Sequence, residues 1–153
     1  MDRNIEEIAR AKAQKYGLDP LLVMAVILQE SSGRPHVDRY EPAFFKQYIA
    51  PMALKDGDDA IGRATSWGLM QVMGQVAREL GYKGKFDGLY DPETGIEYGC
   101  KKLAKCVKRY PGDINSAIAA YNAGSARIIK GVFVNQGYVD SVNKHIAELK
   151  QSK

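Results

Sequence analysis

Apolar residues recur every three or four positions along most of the chain, which is the period of an amphipathic α-helix. Residues 3–16 carry Ile5, Ile8 and Ala9 on one helical stripe, and Gly17 follows as a favourable C-terminal cap. Runs in which apolar and polar residues alternate, which would indicate β-strands, are scarce. The pattern predicts an all-α fold that begins with an amphipathic helix.

The second predicted helix has no polar face over two turns. Asp19 is an N-cap residue, Pro20 takes the first helical position, and apolar residues then run without interruption from Leu21 to Leu28. A helix that is apolar on all sides is buried on all sides. We therefore expect this helix to cross the centre of the core and to end before Gly33.

Three more helices are predicted in the C-terminal half. Asp91 and Asp113 are N-cap residues for the first two, and Pro92 stands at the first helical position, which proline favours. The last helix places Val139 and Val142 on one apolar face. The predicted bounds are 92–110, 114–124 and roughly 137–150.

The segment after the buried helix is less regular. Residues 34–65 contain three prolines, two glycines and an acidic DGDD run, with aromatic and apolar residues at helical spacing from Phe44 to Met52. Long insertions of this kind are often functional. We expect a lid-like segment or groove wall here, with a plain surface excursion as the alternative. Residues 66–81 are then expected to form two short helices that meet near Gly74.

Length and composition fit one folded domain. The chain has 153 residues, of which 45% are hydrophobic and 26% charged, close to the averages for globular proteins. One domain over residues 1–153 is therefore expected, as a monomer. The longest apolar run, Leu21 to Leu28, is too short to span a bilayer, for which about 20 residues are needed.

The net charge of +4 favours polyanionic partners without requiring them. Lysines and arginines are spread along the whole chain rather than gathered on one segment. The densest group lies in the helix predicted over 92–110 and is interpreted as a solvated face: Lys101, Lys102, Lys105, Lys108 and Arg109. A nucleic-acid partner is therefore not expected.

Sequence motifs typical of nucleotide-binding proteins, serine hydrolases and metalloproteases are absent. The chain contains none of GxGxxG, GxxxxGK[ST], GxSxG and HExxH. Cys100 and Cys106 point about 240° apart on a helix, so two free thiols are expected. His36 and His145 are the only histidines, which leaves a zinc site with few ligands. We expect no metal and no cofactor.

Glu30 is the candidate for acid chemistry. On a helix it shares a face with Val26 and Ile27, so that a carboxylate extends an apolar stripe. Burial and the negative end of the helix dipole both disfavour the charged form, and we expect the pKa of Glu30 to be raised. General-acid cleavage of a glycosidic bond requires a carboxylic acid that is still protonated near neutral pH. The alternative is that Glu30 turns into solvent at the helix end.

Three separated motifs coincide with a known family. They are Glu30–Ser31 at the end of the buried helix, GLMQ at 68–71 and AYNAG at 120–124. In this order, and with DPETGIEYGCKKL at 91–103 between the second and third motifs, they resemble the soluble lytic transglycosylase catalytic domain. That family has the goose-type lysozyme-like fold, and the resemblance spans the chain from about Ile5 to Leu149.

The resemblance implies cleavage of the β-1,4 bond between N-acetylmuramic acid and N-acetylglucosamine in peptidoglycan. The muramyl 6-hydroxyl closes onto C1 and leaves a 1,6-anhydro end, so an intramolecular hydroxyl takes the place of water. Glu30 alone is then expected to act first as the acid and afterwards as the base.

Two other functions remain open. A muramidase or chitinase-type hydrolase of the same fold would need a second carboxylate. The candidates come from residues 34–65, here called the inserted segment: Asp38, Glu41, Asp56, Asp58 and Asp59. The other hypothesis, from a different class, is a glycan-binding or cell-wall assembly protein without turnover.

The family pattern also implies residues of a sugar groove. Gln71 is expected to line it, unless its amide bonds to nearby backbone. Tyr121 is expected to place its hydroxyl near the acid and to orient Glu30, with a role as aromatic core filler as the alternative. Asn122 is expected either to bind sugar or simply to end its helix.

The resemblance implies further groove contacts from residues outside the most specific parts of the three motifs. Met70 and Trp67 are expected to supply apolar groove surface. Ser66 or Thr65 is the candidate for a polar side chain near the acid, and Tyr138 resembles an aromatic residue of the family near the same groove.

A peptidoglycan substrate implies action on the extracytoplasmic cell wall, in the periplasm or after secretion. The N-terminal residues MDRNIEEIARAKAQKYG mix acidic and basic side chains and contain no apolar core of a signal peptide. We therefore expect either a signal already removed or another route of delivery, such as that of a phage lysis or virion-associated enzyme.

Overall fold

The computed structural model describes residues 1–152, and most of these are helical. The α-helices are α1 Arg3–Lys15, α2 Pro20–Ser31, α3 Pro42–Phe44, α4 Gly57–Arg63, α5 Gly74–Glu79, α6 Pro92–Arg109, α7 Ile114–Ala123 and α8 Gln136–Gln151. The strands are β1 Asp38–Tyr40, β2 Thr65–Trp67, β3 Val72–Met73, β4 Ile128–Ile129 and β5 Val132–Phe133. The predicted all-α, lysozyme-like architecture is confirmed, with the short strands forming only a three-stranded and a two-stranded antiparallel sheet.

Helix α2 lies at the centre of the core, as its unbroken apolar run predicted. The Asp19 side chain accepts a hydrogen bond from the backbone N–H of Leu21, and residues 22–27 are all buried. Helices α1 and α8 pack against α2. The helix ends at Ser31 because Ser32 adopts a left-handed conformation with φ of 55°. Glu30 therefore stands in the last turn of the most buried helix.

Helices α6 and α7 begin where their capping residues predicted, and α8 lies within one residue of its predicted bounds at each end. Asp91 accepts a hydrogen bond from the backbone N–H of Thr94, and Asp113 does the same for Ser116. Gly124 ends α7 with φ of 85°, a backbone conformation that glycine adopts without strain. These local signals need no tertiary contact, which explains why the sequence predicted them correctly.

The prediction of two short helices over residues 66–81 is wrong for the first of them. Only α5 forms; before it, β2 and β3 pair as an antiparallel hairpin whose turn contains Gly68 and Gln71 at φ of 76° and 50°. Two positive φ angles within four residues cannot continue a right-handed helix. Strand β1 adds to the other edge of β2, with Arg39 opposite Ser66. The β4–β5 hairpin was also not predicted.

The inserted segment folds onto a small core of its own. After β1, residues 42–52 form one winding of helix that passes from α3 into a π-helical piece, Phe45–Ile49, and a 3-10 piece, Ala50–Met52. Ile49, Ala60 and Ala64 are buried together beneath Phe44, Phe45 and Leu54. This packing gives the inserted segment an apolar cluster separate from the main core.

Cys100 and Cys106 are free thiols, which confirms the expectation from their spacing. Among residues 1–152, no helix combines the length and the apolar character needed to cross a membrane.

Candidate functional site

A cleft of about 1030 Å³ opens where the last turn of α2 meets the inserted segment. Side chains from most of the elements line it, among them Glu30 from α2, Arg39 from β1, Phe44 from α3, Ser66 from β2, Lys102 from α6, Tyr121 from α7 and Tyr138 from α8. The three sequence motifs thus meet at one place, although they are far apart along the chain. The inserted segment supplies one wall of this cleft.

Glu30 is held in the cleft by a tyrosine. The Tyr138 hydroxyl donates to Glu30 Oε2 at 2.7 Å. Burial raises the pKa of the Glu30 carboxyl, while the hydrogen bond from Tyr138 and the charges of Lys102 and Arg39 act in the opposite direction. The net direction is upward, as the sequence predicted, so the Glu30 proton is held to a higher pH than on an ordinary glutamate.

Ser31 ties the acid-bearing helix to the second motif. It is 3% exposed, and its hydroxyl lies 3.0 Å from the carbonyl oxygen of Ile27 and 2.8 Å from that of Leu69. The first contact is within α2 and the second reaches the turn between β2 and β3. Ser31 therefore fixes the position of Glu30 relative to that turn.

We expect Ser31→Ala to lower the free energy of unfolding by about 1–3 kcal/mol, because the buried carbonyl of Leu69 loses its donor. Urea denaturation measures this loss. Ser32→Ala is the matched control, since the neighbouring serine is exposed at the helix end and should change stability by less than about 0.5 kcal/mol. Equal losses in both variants would show that the contact with Leu69 does not stabilise the fold.

Gln71 lines the cleft, but its amide group is already engaged. Its Nε2 donates to the carbonyl oxygens of Val37 and Gly68, each at 2.9 Å. Both N–H groups of the amide are therefore used on the backbone, and the side-chain oxygen is the atom left for a ligand. Of the two roles considered for Gln71, the structure shows the backbone contact, which also orients the oxygen in the cleft.

Tyr121 and Tyr138 differ from the expected assignment. The hydroxyl bonded to Glu30 belongs to Tyr138, whereas the Tyr121 hydroxyl donates to the carbonyl oxygen of Met70 at 2.6 Å. Tyr121 is 1% exposed, so little of its side chain reaches the cleft wall. The prediction that Tyr121 orients Glu30 directly is corrected, because its hydroxyl is used to hold the second motif against α7.

Met70 belongs to the core and not to the groove surface. It is fully buried and packs against α6 at Gly99, where a Cβ atom would overlap its side chain. The expectation of apolar groove surface from Met70 is therefore wrong. Trp67 also points elsewhere, since its Nε1 donates to the carbonyl oxygen of Gly62 at 3.0 Å on the opposite side of the sheet.

Ser66 and Asn122 both line the cleft, as the family pattern implies. Thr65 does not, because it is 5% exposed and its hydroxyl donates to the carbonyl oxygen of Ile61 at 2.8 Å. Asn122 Oδ1 accepts a hydrogen bond from Asn135 Nδ2 at 2.8 Å, which holds the side chain at the end of α7. The polar lining of the cleft thus comes from β2, just before the GLMQ motif, and from the AYNAG motif at the end of α7.

The five acidic residues of the inserted segment line two cavities, and Asp38 lines both. Asp38 and Glu41 reach the cleft that contains Glu30. Asp38 accepts a hydrogen bond from the Tyr90 hydroxyl, and Glu41 pairs with Arg39 at 3.2 Å. The other three line a second cavity behind the sheet: Asp56, Asp58 and Asp59. Only two of the five therefore stand in the same cleft as Glu30.

Lys102 is one of the cleft residues that the sequence did not predict. It was grouped with a solvated helix face, but its ammonium lies 3.9 Å from the centroid of the Tyr121 ring and in the wall of the cleft. The available signal was helical spacing: Lys102 follows Gly99 by three residues and so shares the face that packs against the core. Burial lowers the pKa of Lys102, and the charge of Glu30 opposes this shift.

Comparisons with known proteins agree with the motifs. Residues 7–138 match the family model described as the transglycosylase SLT domain. The chain is 33% identical over 141 residues to "Transglycosylase" of Enterobacteria phage PRD1, an alignment covering 92% of this chain and 42% of the relative. It is 28% identical over 138 residues to "Membrane-bound lytic murein transglycosylase C" of Edwardsiella ictaluri, covering 81% of this chain and 32% of the relative.

These relatives are longer proteins, and the chain spans less than half of the length of each. The family match, by contrast, covers most of the chain and includes Glu30, Gln71 and Tyr121. The matched region ends at Tyr138, whose hydroxyl is bonded to Glu30. The chain therefore belongs to the transglycosylase SLT domain family.

Proposed function

We propose that this chain is a lytic transglycosylase that cleaves the β-1,4 bond between N-acetylmuramic acid and N-acetylglucosamine in peptidoglycan and leaves 1,6-anhydromuramyl ends. The observation that carries the proposal is Glu30, a carboxyl group held in a cleft by Tyr138 with its pKa raised by burial. Such a group keeps a proton for a leaving oxygen at a pH where an exposed glutamate has lost it.

The proposed reaction uses Glu30 twice. Its carboxyl proton passes to the glycosidic oxygen as the bond from that oxygen to C1 of the muramyl residue breaks. The resulting carboxylate then takes the proton of the muramyl 6-hydroxyl, whose oxygen forms the new bond to C1. Glu30 ends the cycle protonated again, and no water is consumed. Because the attacking hydroxyl belongs to the substrate itself, one carboxyl group suffices.

The polar groups around Glu30 suit a saccharide. The side-chain oxygen of Gln71 is free to accept hydrogen bonds, and the side chains of Ser66 and Asn122 stand in the same cleft. Hydroxyl and amide groups bind the hydroxyl and acetamido groups of sugars in either direction. Phe44 and Tyr48 add aromatic surface from the inserted segment, with ring centroids 4.9 Å apart.

Mass analysis of digested murein tests the proposal. The expected products are muropeptides with 1,6-anhydromuramyl ends, which are lighter than the reducing products by one water. Abundant reducing ends would instead favour a hydrolase, with Asp38 or Glu41 as the second carboxylate of the cleft. Binding to sacculi without any release of fragments would favour a glycan-binding protein.

The proposed substrate also indicates where the protein acts. Peptidoglycan lies outside the cytoplasmic membrane, so we propose action on the extracytoplasmic cell wall. Curated relatives bear the names transglycosylase, in a phage, and membrane-bound lytic murein transglycosylase, in two bacteria, Edwardsiella ictaluri and Sodalis glossinidius.

We expect Tyr138→Phe to raise the pKa of Glu30, since the hydroxyl favours the charged carboxylate. The high-pH limb of the kcat/KM profile then moves upward by about one pH unit, and activity at neutral pH falls about tenfold, because a hydrogen bond to a charged group contributes about 1.5–3 kcal/mol. Tyr98→Phe is the control, since that ring packs on Tyr82 away from the cleft. A profile in Tyr138→Phe that matches the control would contradict the assigned contact.

A further inference from the structure

Lys102 occupies an unusual place for a lysine. It stands on α6 one turn after Gly99, whose missing Cβ lets the Met70 side chain pack directly against the helix. This close approach brings the turn of the second motif, α6 and α7 together beneath the cleft. The ammonium of Lys102 is thereby held in the cleft wall that also contains Glu30, instead of extending into solvent as the lysine of a surface helix does.

The support for the ammonium is the ring of Tyr121. The Nζ atom lies 3.9 Å from the ring centroid, a distance at which a cation is attracted to the aromatic face. The ring itself cannot shift easily, because it is buried and its hydroxyl donates to the Met70 carbonyl oxygen at 2.6 Å. Among residues 1–152, the ion pairs within 4 Å do not include Lys102. Its charge is therefore fixed in place without being neutralised by a neighbouring carboxylate.

The other groups that act on Glu30 are weaker sources of positive charge. Arg39 on β1 is exposed over 77% of its side chain and pairs with Glu41, so water and that carboxylate screen it. Tyr138 on α8 is a neutral phenol with a raised pKa, and Tyr121 on α7 is likewise neutral. Cys106, which faces Lys102 from the next turn of α6, keeps its proton because burial raises the pKa of its thiol.

We propose that Lys102 is a positioning residue for the reaction, whose ammonium on the Tyr121 ring stabilises the carboxylate that Glu30 becomes after it has released its proton. This inference rests on the proposed role of Glu30 and extends it. Burial lowers the pKa of Lys102 and the Glu30 carboxylate opposes that shift, so each charged group stabilises the other's charged form within one cleft. Lys102 itself exchanges no proton with the substrate. Tyr121 then acts on Glu30 through Lys102, which assigns a role to a tyrosine whose own hydroxyl is bonded elsewhere.

The physical reason is a balance between burial and charge. Burial alone would hold the Glu30 proton too tightly for efficient donation, since a general acid works best with a pKa near the working pH. A cation in the same cleft lowers the cost of the carboxylate that forms when the leaving oxygen takes the proton. It also keeps that carboxylate available for the second step, in which it receives the proton of the 6-hydroxyl.

The experiment compares pH profiles of Lys102→Met, Lys102→Arg and Lys101→Met on purified glycan strands. Lys101 is the matched control: it precedes Lys102 on α6 and also lies over a tyrosine ring, that of Tyr98 at 4.8 Å, but does not line the cleft. We expect Lys102→Met to move the high-pH limb of kcat/KM upward by roughly one pH unit and to lower kcat by about tenfold. Lys102→Arg, which keeps the charge, and Lys101→Met should leave the limb in place.

A second measurement needs no substrate. The chemical shift of the Glu30 carboxyl carbon, followed by NMR during a pH titration, gives the pKa of Glu30 in each folded variant. A higher pKa in Lys102→Met alone supports the proposal; an unchanged or lower pKa, or an unmoved high-pH limb, overturns it. If Lys102→Met does not fold, Lys102→Gln takes its place in both measurements. Absence of anhydro products from the unaltered protein would refute the proposed function, and the titration would still decide whether Lys102 acts on Glu30.

Discussion

Glu30→Gln is expected to reduce the cleavage of glycan strands by about 10³-fold or more, because it removes both the acid and the base of the proposed cycle. Glutamine has nearly the same shape and can still accept the hydrogen bond from Tyr138, so the cleft should keep its geometry. Release of anhydromuropeptides from purified sacculi measures the loss. A variant that retained a tenth or so of the original rate would exclude Glu30 as the general acid.

Stability separates this loss of activity from unfolding. The pKa of Glu30 is raised in the folded protein, so the fold binds this proton more tightly than the unfolded chain does. The stabilising contribution is complete below the unfolded pKa and is lost as the pH rises through the folded pKa. Above the unfolded pKa a carboxyl group whose pKa is raised by folding costs stability, and Glu30→Gln, which cannot ionise, should unfold at the same or a higher urea concentration than the original protein. Glu7→Gln, which changes an exposed carboxylate on α1, should alter neither rate nor midpoint.

The two alternatives predict different responses in the same assay. For a hydrolase, Asp38→Asn or Glu41→Gln would stop turnover as completely as the change at Glu30. For the transglycosylase proposed here, both variants keep the anhydro product, because neither carboxylate exchanges a proton. Their effect is then limited to the shape and charge of the cleft, since Asp38 holds Tyr90 and Glu41 holds Arg39.

Sequence alone predicted the elements whose signals are local. The caps at Asp19, Asp91 and Asp113 act on the first turn of their own helices, so the bounds of α2, α6 and α7 followed from the chain itself. The apolar run of α2 likewise predicted a buried helix with Glu30 at its end. These signals predict the same helices whichever other elements pack against the buried face.

The parts that sequence did not predict depend on contacts between distant segments. The hairpin over β2 and β3 forms because β1 pairs with β2 and because the GLMQ turn packs under α6 and α7. Helical periodicity carries no information about such contacts. The exchange of roles between Tyr121 and Tyr138 has the same origin, since both tyrosines stand near the cleft and only packing decides which hydroxyl reaches Glu30.

Most of the GLMQ motif therefore holds the turn between β2 and β3 in place and does not contact the groove. Leu69 and Met70 are buried, Ser31 donates to the Leu69 carbonyl oxygen and Tyr121 to that of Met70. Gly68 begins the turn, and its carbonyl oxygen accepts a hydrogen bond from the side chain of Gln71. Of the four residues, Gln71 alone lines the cleft. The position of that one side chain depends on the other three.

Gly68→Ala is expected to lower the free energy of unfolding by about 3–5 kcal/mol. Gly68 has φ of 76°, which costs a residue with a side chain about 1–2 kcal/mol. In addition, a Cβ atom at this position would overlap the carbonyl oxygen of Leu89, a backbone atom that cannot turn aside as a flexible side chain can. Urea denaturation at neutral pH measures the change.

Gly112→Ala isolates the second cause from the first. Gly112 has nearly the same backbone angle, φ of 74°, but no atom lies within 4 Å of the position that its Cβ would take. That variant should lose only about 1–2 kcal/mol, the cost of the left-handed conformation. The excess loss at Gly68 then measures the overlap with Leu89, and it should be accompanied by a higher KM, because the turn that carries Gln71 must shift. Equal losses at both glycines would mean that the turn has room for a side chain, and that Gly68 is required for its backbone angle alone.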